Sequence, residues 1–205
     1  MSEPPLAFYN DLNRSLERGW DLIAEGVTNR DSQCHTPVVA TVGADGRPAQ
    51  RVLVLREYER ENHILRFHTD ARSDKISEIA EQPRCSVLLY DTAAKIQLRL
   101  GGMVRIETKG ALSEQAWQDA DNYARRCYLA MPGPGTPAEA PTSGLPAQLE
   151  GAKPSDAQLE PARSNFAILM VRVETVDFLY LAHQGHRRAR FERTADRWTG
   201  QWLVP

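Results

Sequence analysis

Hydrophobic and polar positions alternate along much of the chain between residues 36 and 107, and this period of two predicts β-strands. The strands expected there are VVATV (38–42), RVLVLR (51–56), HILRFHT (63–69), CSVLLYD (85–91) and KIQLRLGGMVRIET (95–108). The polar turn ADGRP predicts a hairpin, with Gly46 in the turn. Between Arg51 and Arg56 the four apolar residues predict a short buried strand. Three further strands are expected after Asn165.

Helical spacing replaces this alternation in three places. The chain is predicted to form an N-terminal helix over 6–26, a short helix over 73–82 with Ser73 as its N-cap, and a helix from Ser113 to Met131. Residues 132–163 are rich in Pro, Gly, Ala and Ser and lack periodicity. A stretch of this length inside a compact domain indicates a functional loop or a mobile segment.

Strands outnumber helices, and they do not alternate with helices as they would in a βαβ protein. This order favours a mainly β fold, an antiparallel barrel with peripheral helices. The length of 205 residues fits a single domain over 1–205, decorated by the N-terminal helix and the Pro/Gly-rich loop.

The charge pattern excludes several classes of partner. With 25 basic and 27 acidic residues interspersed, no basic footprint for nucleic acid or for a membrane surface is expected. No basic leader or apolar stretch of about 18 residues is present, so we expect a cytoplasmic protein without a membrane partner. The three cysteines lie far apart without a CxxC pair, which predicts neither a disulfide framework nor a metal site.

Candidate chemistry gathers around the second predicted strand and the short helix that follows. Arg51 and Arg56 flank the strand, and Thr69, Arg72, Ser73 and Lys75 crowd the turn before the helix. A helix start of this kind suits phosphate, because free amide groups and the helix dipole both favour negative charge. Each residue alone also fits a simpler role, as a surface charge at a strand end or on a solvated helix face. His68 and His186 equally fit polar strand ends.

The blocks Arg51-Val-Leu-Val-Leu-Arg56, His68-Thr69, Ser73-Asp-Lys75 and Gln97 resemble, in order and spacing, the cofactor motifs of the pyridoxamine 5′-phosphate oxidase family. The tail, from Asp177-Phe178 through His186 and Arg188 to Trp202-Leu-Val-Pro205, resembles that family's C-terminal pattern. Together these blocks cover about half of the chain. No GxGxxG, P-loop, GxSxG or HExxH motif competes with this interpretation.

The resemblance implies a split β-barrel that binds flavin mononucleotide (FMN) at a homodimer interface, with both subunits reaching each cofactor. By this resemblance Arg51 and Lys75 hold the phosphate, Thr69 orients it, and Gln97 hydrogen-bonds the polar edge of the ring. The cofactor-binding set that it implies comprises Arg51, Val52, Leu53, Val54, Leu55, Arg56, His68, Thr69, Arg72, Ser73, Lys75, Gln97, Phe178 and Arg188. Within it, the backbone of residues 52–55 lines the flavin and Phe178 forms an aromatic wall.

Two departures from the family pattern concern the phosphate and the substrate. Asp74 stands where the family has a second phosphate-binding arginine, and an acid there would repel the phosphate unless Arg72 supplies the missing charge. Gln184 replaces an arginine of the substrate-binding pattern and leaves His186. The remaining substrate-binding candidates are Tyr123, Arg126 and Ser143, and no catalytic side chain is identified.

The leading hypothesis is therefore an FMN-dependent oxidoreductase with a small-molecule substrate. Oxidation of pyridoxamine 5′-phosphate itself is a narrower version of it. The alternatives are a non-catalytic flavin- or haem-binding module on the same barrel, or an interaction barrel without a cofactor.

Overall fold

A computed structural model describes residues 6–195 and 197–205 of the chain. It contains five α-helices, α1 (Leu12–Thr28), α2 (Asp74–Glu81), α3 (Ala111–Asp119), α4 (Asn122–Arg126) and α5 (Asp156–Leu159). The strands are β1 (Val38–Val42), β2 (Pro48–Val52), β3 (Leu55–Glu59), β4 (Ile64–Asp70), β5 (Arg84–Asp91), β6 (Ile96–Glu107), β7 (Phe166–Tyr180), β8 (Arg187–Thr194) and β9 (Arg197–Leu203). Short 3₁₀ turns occupy Gln33–His35, Cys127–Leu129, Ala147–Leu149 and Glu160–Asn165.

The strands form one antiparallel sheet that curls into a barrel. Its order is β2-β1-β5-β6-β7-β4-β3, with β8 paired to the second half of β7 and β9 paired to β8. Strands β2 and β3 lie at opposite ends of this order, yet only Leu53 and Val54 separate them in the chain. Two residues cannot cross an open sheet, so its two edges must meet. The predicted mainly β, antiparallel fold with peripheral helices is confirmed.

The segment RVLVLR does not form the single buried strand that was predicted. Strand β2 ends at Val52 and β3 begins at Leu55, so the segment is the joint that closes the barrel. The side chain of Val52 is 60% exposed, whereas that of Leu55 is fully buried. At the joint, the Leu53 N–H donates to the Pro37 carbonyl at 3.1 Å.

Helix α1 covers the barrel core but begins later than predicted. Its N-cap is Asp11, whose carboxylate accepts a hydrogen bond from the Arg14 backbone N–H at 3.0 Å. A carboxylate in this position satisfies a helix-end N–H that would otherwise lack a partner, which explains the start at Leu12 rather than at residue 6. Trp20 and Ile23, on the apolar face of the helix, are buried in the core.

The helix predicted from Ser113 to Met131 is broken into two helices and a 3₁₀ turn. Helix α3 ends at Asp119, and Asp121 then accepts from the Tyr123 N–H at 2.8 Å to cap α4. Beneath them lies a second, smaller apolar cluster built around Trp117, Tyr128 and Phe166. Residues 132–163 carry little regular structure beyond α5 and the short 3₁₀ turns.

Candidate functional site

Two predicted phosphate ligands, Arg51 and Lys75, lie where helix α2 meets the end of the barrel. We call the group Thr41, Arg51, Lys75 and Glu78 the barrel-end site. Arg51 Nη2 donates to Glu78 Oε2 at 3.0 Å, and Arg51 Nη1 donates to Thr41 Oγ1 at 2.5 Å and to the Ala49 carbonyl at 2.9 Å. The Glu78 carboxylate also accepts from the Thr41 hydroxyl. The guanidinium is therefore held in one orientation by its protein partners.

Lys75 is the cation of this site that lacks an ion-pair partner in the described chain. It is half-buried, and within residues 6–195 and 197–205 it forms no ion pair. Burial lowers the pKa of its ammonium group, and the positive charge of Arg51 lowers it further. The carboxylates of Asp70, Glu78 and Asp74 act in the opposite direction, but none of them forms an ion pair with Lys75 in the described chain. The ammonium group therefore remains available to an anion.

The turn between β4 and α2, residues 69–75, supplies hydroxyl groups beside these charges. Thr69 and Ser73 are both buried, and Ser73 occupies the N-cap position of α2 without making a side-chain capping bond. The N-terminal amides of α2 lie in the same turn. Hydroxyl groups, helix-end amides and a lysine form a donor set that fits a phosphate.

Arg72 does not point its charge into this site. Its Nε and Nη2 donate to the two carboxylate oxygens of Asp70 at 2.9 and 2.6 Å, and its Nη1 donates to the Ala130 carbonyl at 2.9 Å. The prediction that Arg72 replaces a missing phosphate ligand is therefore wrong for the described conformation. Asp74 is exposed, and its carboxylate lies beside Gly135 of the Pro/Gly-rich loop.

Gln97 and Arg188 lie together on the outer face of the sheet. They belong to one row across strands β5 to β8, formed by Tyr90, Gln97, Leu179 and Arg188. Gln97 points away from the core, and Tyr90 at its side is 41% exposed. Arg188 Nε and Nη2 donate to the carboxylate of Asp177 at 3.1 and 2.8 Å, and Arg99 donates to the same carboxylate. These hydrogen bonds keep the pKa of Asp177 below its usual value, although burial acts in the opposite direction.

Phe178 cannot form the aromatic wall that was predicted. Its side chain is fully buried and packs edge-on against Phe8, with ring centroids 6.0 Å apart. Side chains alternate along β7, so Phe178 shares the inner face with Val176 while Leu179 faces outward. The apolar neighbour of Gln97 on the outer face is therefore Leu179.

The phosphate and ring candidates occupy opposite faces of the same sheet. Arg51 pairs with Val39, which is fully buried in the core, so Arg51 points inward at the barrel end. Gln97 pairs with the partly exposed Tyr90 on the outer face. Direct cross-strand partners share a face. The described contacts thus divide the predicted cofactor ligands into two groups.

Arg56 and His68 lie apart from both the barrel-end site and the row that contains Gln97. They line a cavity of about 430 Å³ between the outer face of the barrel and helices α3 and α4. Burial lowers the pKa of His68 to about 4, and the charge of Arg56 contributes. The His68 ring is therefore neutral near pH 7, and it packs edge-on against Phe166 with centroids 4.9 Å apart.

The substrate-binding candidates do not converge. His186 lines a cavity of about 480 Å³ with Arg188 and the C-terminal residues 202–205. Arg126 Nη1 instead donates to the carbonyls of Leu149 and Ala152, at 3.2 and 2.7 Å, and its guanidinium lies over the Tyr123 ring. Ser143 is exposed, and its hydroxyl accepts from the Leu145 N–H.

Four residues of these sites were not among the residues predicted from the sequence: Thr41, Glu78, Tyr90 and Leu179. Glu78 follows Lys75 by three positions in α2, so helical spacing places both on one face, but nothing local pairs it with Arg51. Leu179 could have been found from the strand alternation that buries Phe178.

Within the described residues, no helix is both long and apolar enough to cross a lipid bilayer. Over the same ranges, no three histidine, cysteine or acidic side chains cluster closely enough to hold a metal ion.

The chain is similar in sequence to known proteins. Residues 18–108 match the sequence model of a family described as "Pyridoxamine 5'-phosphate oxidase, FMN-binding domain". Pyridoxine/pyridoxamine 5'-phosphate oxidase 2 of Arabidopsis thaliana is 29% identical over 150 residues, which cover 70% of this chain and 72% of that protein. Dihydrophenazinedicarboxylate synthase of Pseudomonas chlororaphis is 26% identical over 180 residues, covering 82% and 73% of the two chains.

A solved structure extends the similarity to nearly the whole chain. It is a pyridoxamine 5'-phosphate oxidase-related, FMN-binding protein from Nostoc punctiforme, 26% identical, with a TM-score of 0.67. The alignment covers 98% of each chain, so the likeness includes the helices around the barrel and the C-terminal strands.

Proposed function

The chain belongs to the pyridoxamine 5'-phosphate oxidase-like FMN-binding family, and we propose that it is an FMN-dependent oxidoreductase acting on a small molecule. FMN is the cofactor of the matched domain. When bound, the flavin supplies a ring that accepts and returns a hydride. The residues described above then have the tasks of binding, orienting and shielding it.

The observation that carries this proposal is the unpaired ammonium group of Lys75 in the barrel-end site. Lys75 is half-buried without a counter-ion in the described chain, and its pKa is lowered by burial and by Arg51. A phosphate group would pair with this ammonium group and accept hydrogen bonds from the α2 amides. Thr69 and Ser73, buried in the same turn, add hydroxyl donors.

The outer-face row supports the ring-binding half of the proposal. An amide such as Gln97 can both donate to and accept from the polar edge of a flavin. Leu179 and Tyr90 offer apolar surface beside it. Asp177 holds the Arg188 guanidinium through two hydrogen bonds, so a positive charge stays fixed at the edge of this surface.

Because phosphate and ring ligands lie on opposite faces of one sheet, we propose that each cofactor is shared by two protomers of a homodimer. The barrel-end site of one chain would hold the phosphate, and the outer face of its partner would contact the ring. The exposed apolar side chains of Val52, Leu88 and Tyr90 on that outer face support burial against a second copy.

The family relatives support flavin chemistry more strongly than they support one substrate. One is named an oxidase of pyridoxine and pyridoxamine 5'-phosphate, and another a dihydrophenazinedicarboxylate synthase. We therefore propose a substrate no more specific than a small molecule that stacks on the ring. Arg56, beside the neutral His68, supplies a fixed positive charge near the barrel surface.

The proposal is tested in two steps with the purified full-length chain. Titration with FMN, followed by flavin fluorescence, should show saturable binding, with riboflavin binding more weakly because it lacks the phosphate. The loaded protein should then be reduced under anaerobic conditions by a nicotinamide or a candidate substrate, and reoxidised by oxygen. Absence of FMN binding would refute the proposal, and binding without reduction by any donor would favour the flavin-carrier alternative.

A further inference from the structure

The turn between β4 and α2 is hydrogen-bonded to the residues that flank the Pro/Gly-rich segment, residues 132–163, on both sides. On the N-terminal side, Arg72 Nη1 donates to the Ala130 carbonyl at 2.9 Å. On the C-terminal side, the Ala71 N–H donates to the Asn165 carbonyl at 2.7 Å. Asn165 Nδ2 also donates to the Tyr128 carbonyl at 2.9 Å, which connects the two ends directly.

The segment also packs closely against this turn. A Cβ atom added at Gly133 would lie only 3.2 Å from the Cβ of Arg72. Gly135, with φ +84°, lies against the Asp74 carboxylate at the first position of α2. The start of the segment therefore covers the N-terminus of α2, beside the residues proposed to hold the phosphate.

Arg72 is the side chain that spans the two structures. Asp70 is buried, 9% exposed, and orients the Arg72 guanidinium through two hydrogen bonds to its carboxylate. The Arg72 backbone N–H donates to the same carboxylate at 2.8 Å. Backbone and side chain of Arg72 are thus fixed together, so a shift of the turn has to move the Ala130 contact as well.

We propose that Arg72 is a positioning residue that couples occupation of the barrel-end site to the placement of the Pro/Gly-rich segment. The coupling rests on the proposed function, because it assumes a phosphate at the β4–α2 turn. An anion bound by Lys75 and the α2 amides stabilises the turn in one conformation, and the Asp70–Arg72 pair passes that restraint to Ala130. By linkage, a correctly placed segment must strengthen cofactor binding by the same factor.

Cleavage of the segment by endoproteinase Glu-C provides the readout. Glu139 and Glu150 are both exposed within it, and cleavage after each is identified by mass spectrometry of the products. Saturating FMN should slow cleavage of the wild-type chain roughly fivefold or more, the lower range of ordinary coupling. Riboflavin, which lacks the phosphate, should protect much less.

The variant R72Q removes the connection and should abolish the FMN-dependent protection. Because R72Q leaves the buried Asp70 carboxylate without its cation, the double variant D70N/R72Q serves as a second test in which that charge is also removed. The matched control is R126Q. Arg126 holds the same segment at Leu149 and Ala152, away from the turn, so R126Q should raise basal cleavage yet keep the protection by FMN.

Protection by FMN that persists in R72Q and in D70N/R72Q would refute the coupling, as would tight FMN binding to the wild type without any protection. Failure of the proposed function gives a different result, because FMN would then fail to bind the wild-type chain at all.

Discussion

At the scale of single residues, the barrel-end site combines a cation that is paired with one that is not. Arg51 is engaged by Glu78, Thr41 and a carbonyl, while Lys75 is half-buried and meets no carboxylate within hydrogen-bonding reach in the described chain. A paired arginine mainly contributes structure, and an unpaired buried lysine mainly contributes affinity for an anion. The sequence motif assigns both residues to the phosphate. Replacing Arg51 should therefore lower stability as well as FMN affinity, whereas replacing Lys75 should lower FMN affinity without lowering stability.

Replacing Lys75 by methionine should raise the Kd for FMN about 10- to 150-fold, the range expected for losing a charge-assisted hydrogen bond of about 1.5 to 3 kcal/mol. The Kd for riboflavin should not change. Thermal stability of the cofactor-free protein should be equal or slightly higher, because a desolvated charge is removed. Fluorescence titration and differential scanning calorimetry measure both quantities.

The matched variant is Arg51→Ala. It should weaken FMN binding and also lower the melting temperature, because the carboxylate of Glu78 loses its partner while remaining largely buried. If K75M and R51A instead had the same effect on stability, the distinction between a structural and a ligand-binding cation would be wrong.

His68 predicts a dependence of stability on pH. Its pKa is about 4 in the folded chain, below the ordinary value of 6.5, because burial and Arg56 disfavour the imidazolium. The unfolded chain therefore binds a proton that the folded chain does not, and stability should fall as pH decreases from about 6.5 to about 4. The loss assigned to this residue is roughly 1 to 3 kcal/mol.

Urea unfolding of wild type and H68Q across that pH range tests this assignment. The slope of unfolding free energy against pH should be shallower in H68Q. The ring of His63, whose pKa burial also lowers, remains in both proteins and accounts for part of the residual slope. Identical slopes would show that His68 contributes nothing to it.

At the scale of elements, the packing of α1 depends on two glycines that differ in what surrounds them. A Cβ at Gly26 would lie 2.6 Å from the backbone carbonyl of Cys34, in the 3₁₀ turn that follows the helix. A Cβ at Gly19 would meet only the end of the Leu98 side chain, at 3.2 Å. Backbone cannot move aside as a leucine methyl can, so the same substitution should destabilise the chain at Gly26 and be tolerated at Gly19.

Overpacking by Gly26→Ala should cost about 1 to 3 kcal/mol and offset the gain in helix propensity of about 1 kcal/mol, so the net destabilisation should reach about 2 kcal/mol. Gly19→Ala should be neutral within about 1 kcal/mol. Chemical denaturation of both variants measures the difference. A stabilised G26A would mean that the contact between α1 and the 3₁₀ turn is looser than described.

At the scale of the whole molecule, the pairing of the strands separates the two groups of residues proposed to bind the cofactor. Leu53 and Val54 join the first and last strands of the sheet, so Arg51 ends on the inner face at the barrel end. Gln97 lies on the outer face of β6. A cofactor that uses both groups is most simply accommodated between two copies of the chain.

Mixed dimers provide a test of this sharing. K75M damages the phosphate half of the site, and Q97A damages the ring half. If each FMN draws one half from each protomer, a dimer with one copy of each variant has one doubly damaged site and one intact site. After unfolding and refolding an equal mixture, about a quarter of all sites should regain wild-type affinity.

Titration of the mixture would then show a tight phase that neither variant shows alone. If the phosphate and ring ligands came from the same chain, every site would still contain one of the two substitutions and no tight phase would appear. Size-exclusion chromatography with light scattering establishes the dimer in the same samples.

Local pattern alone determined most of the strands, the position of α2 and the outward orientation of Gln97, because a period of two or of 3.6 residues already encodes which side chains share a face. The spacing of the motifs also indicated a resemblance to the FMN-binding family whose sequence model matches residues 18–108. The resemblance misplaced Phe178, because alternation along β7 puts the Phe178 side chain on the buried face.

The folded structure was needed to show which charged side chains already have partners within the protein. The pairing of Arg51 with Glu78 joins residues 27 positions apart, and the contact of Arg72 with Ala130 joins residues 58 apart. Neither follows from any local period, since both depend on how the closed barrel brings β2, α2 and the 128–131 turn together. The same closure broke the strand RVLVLR and placed phosphate and ring candidates on opposite faces of one sheet.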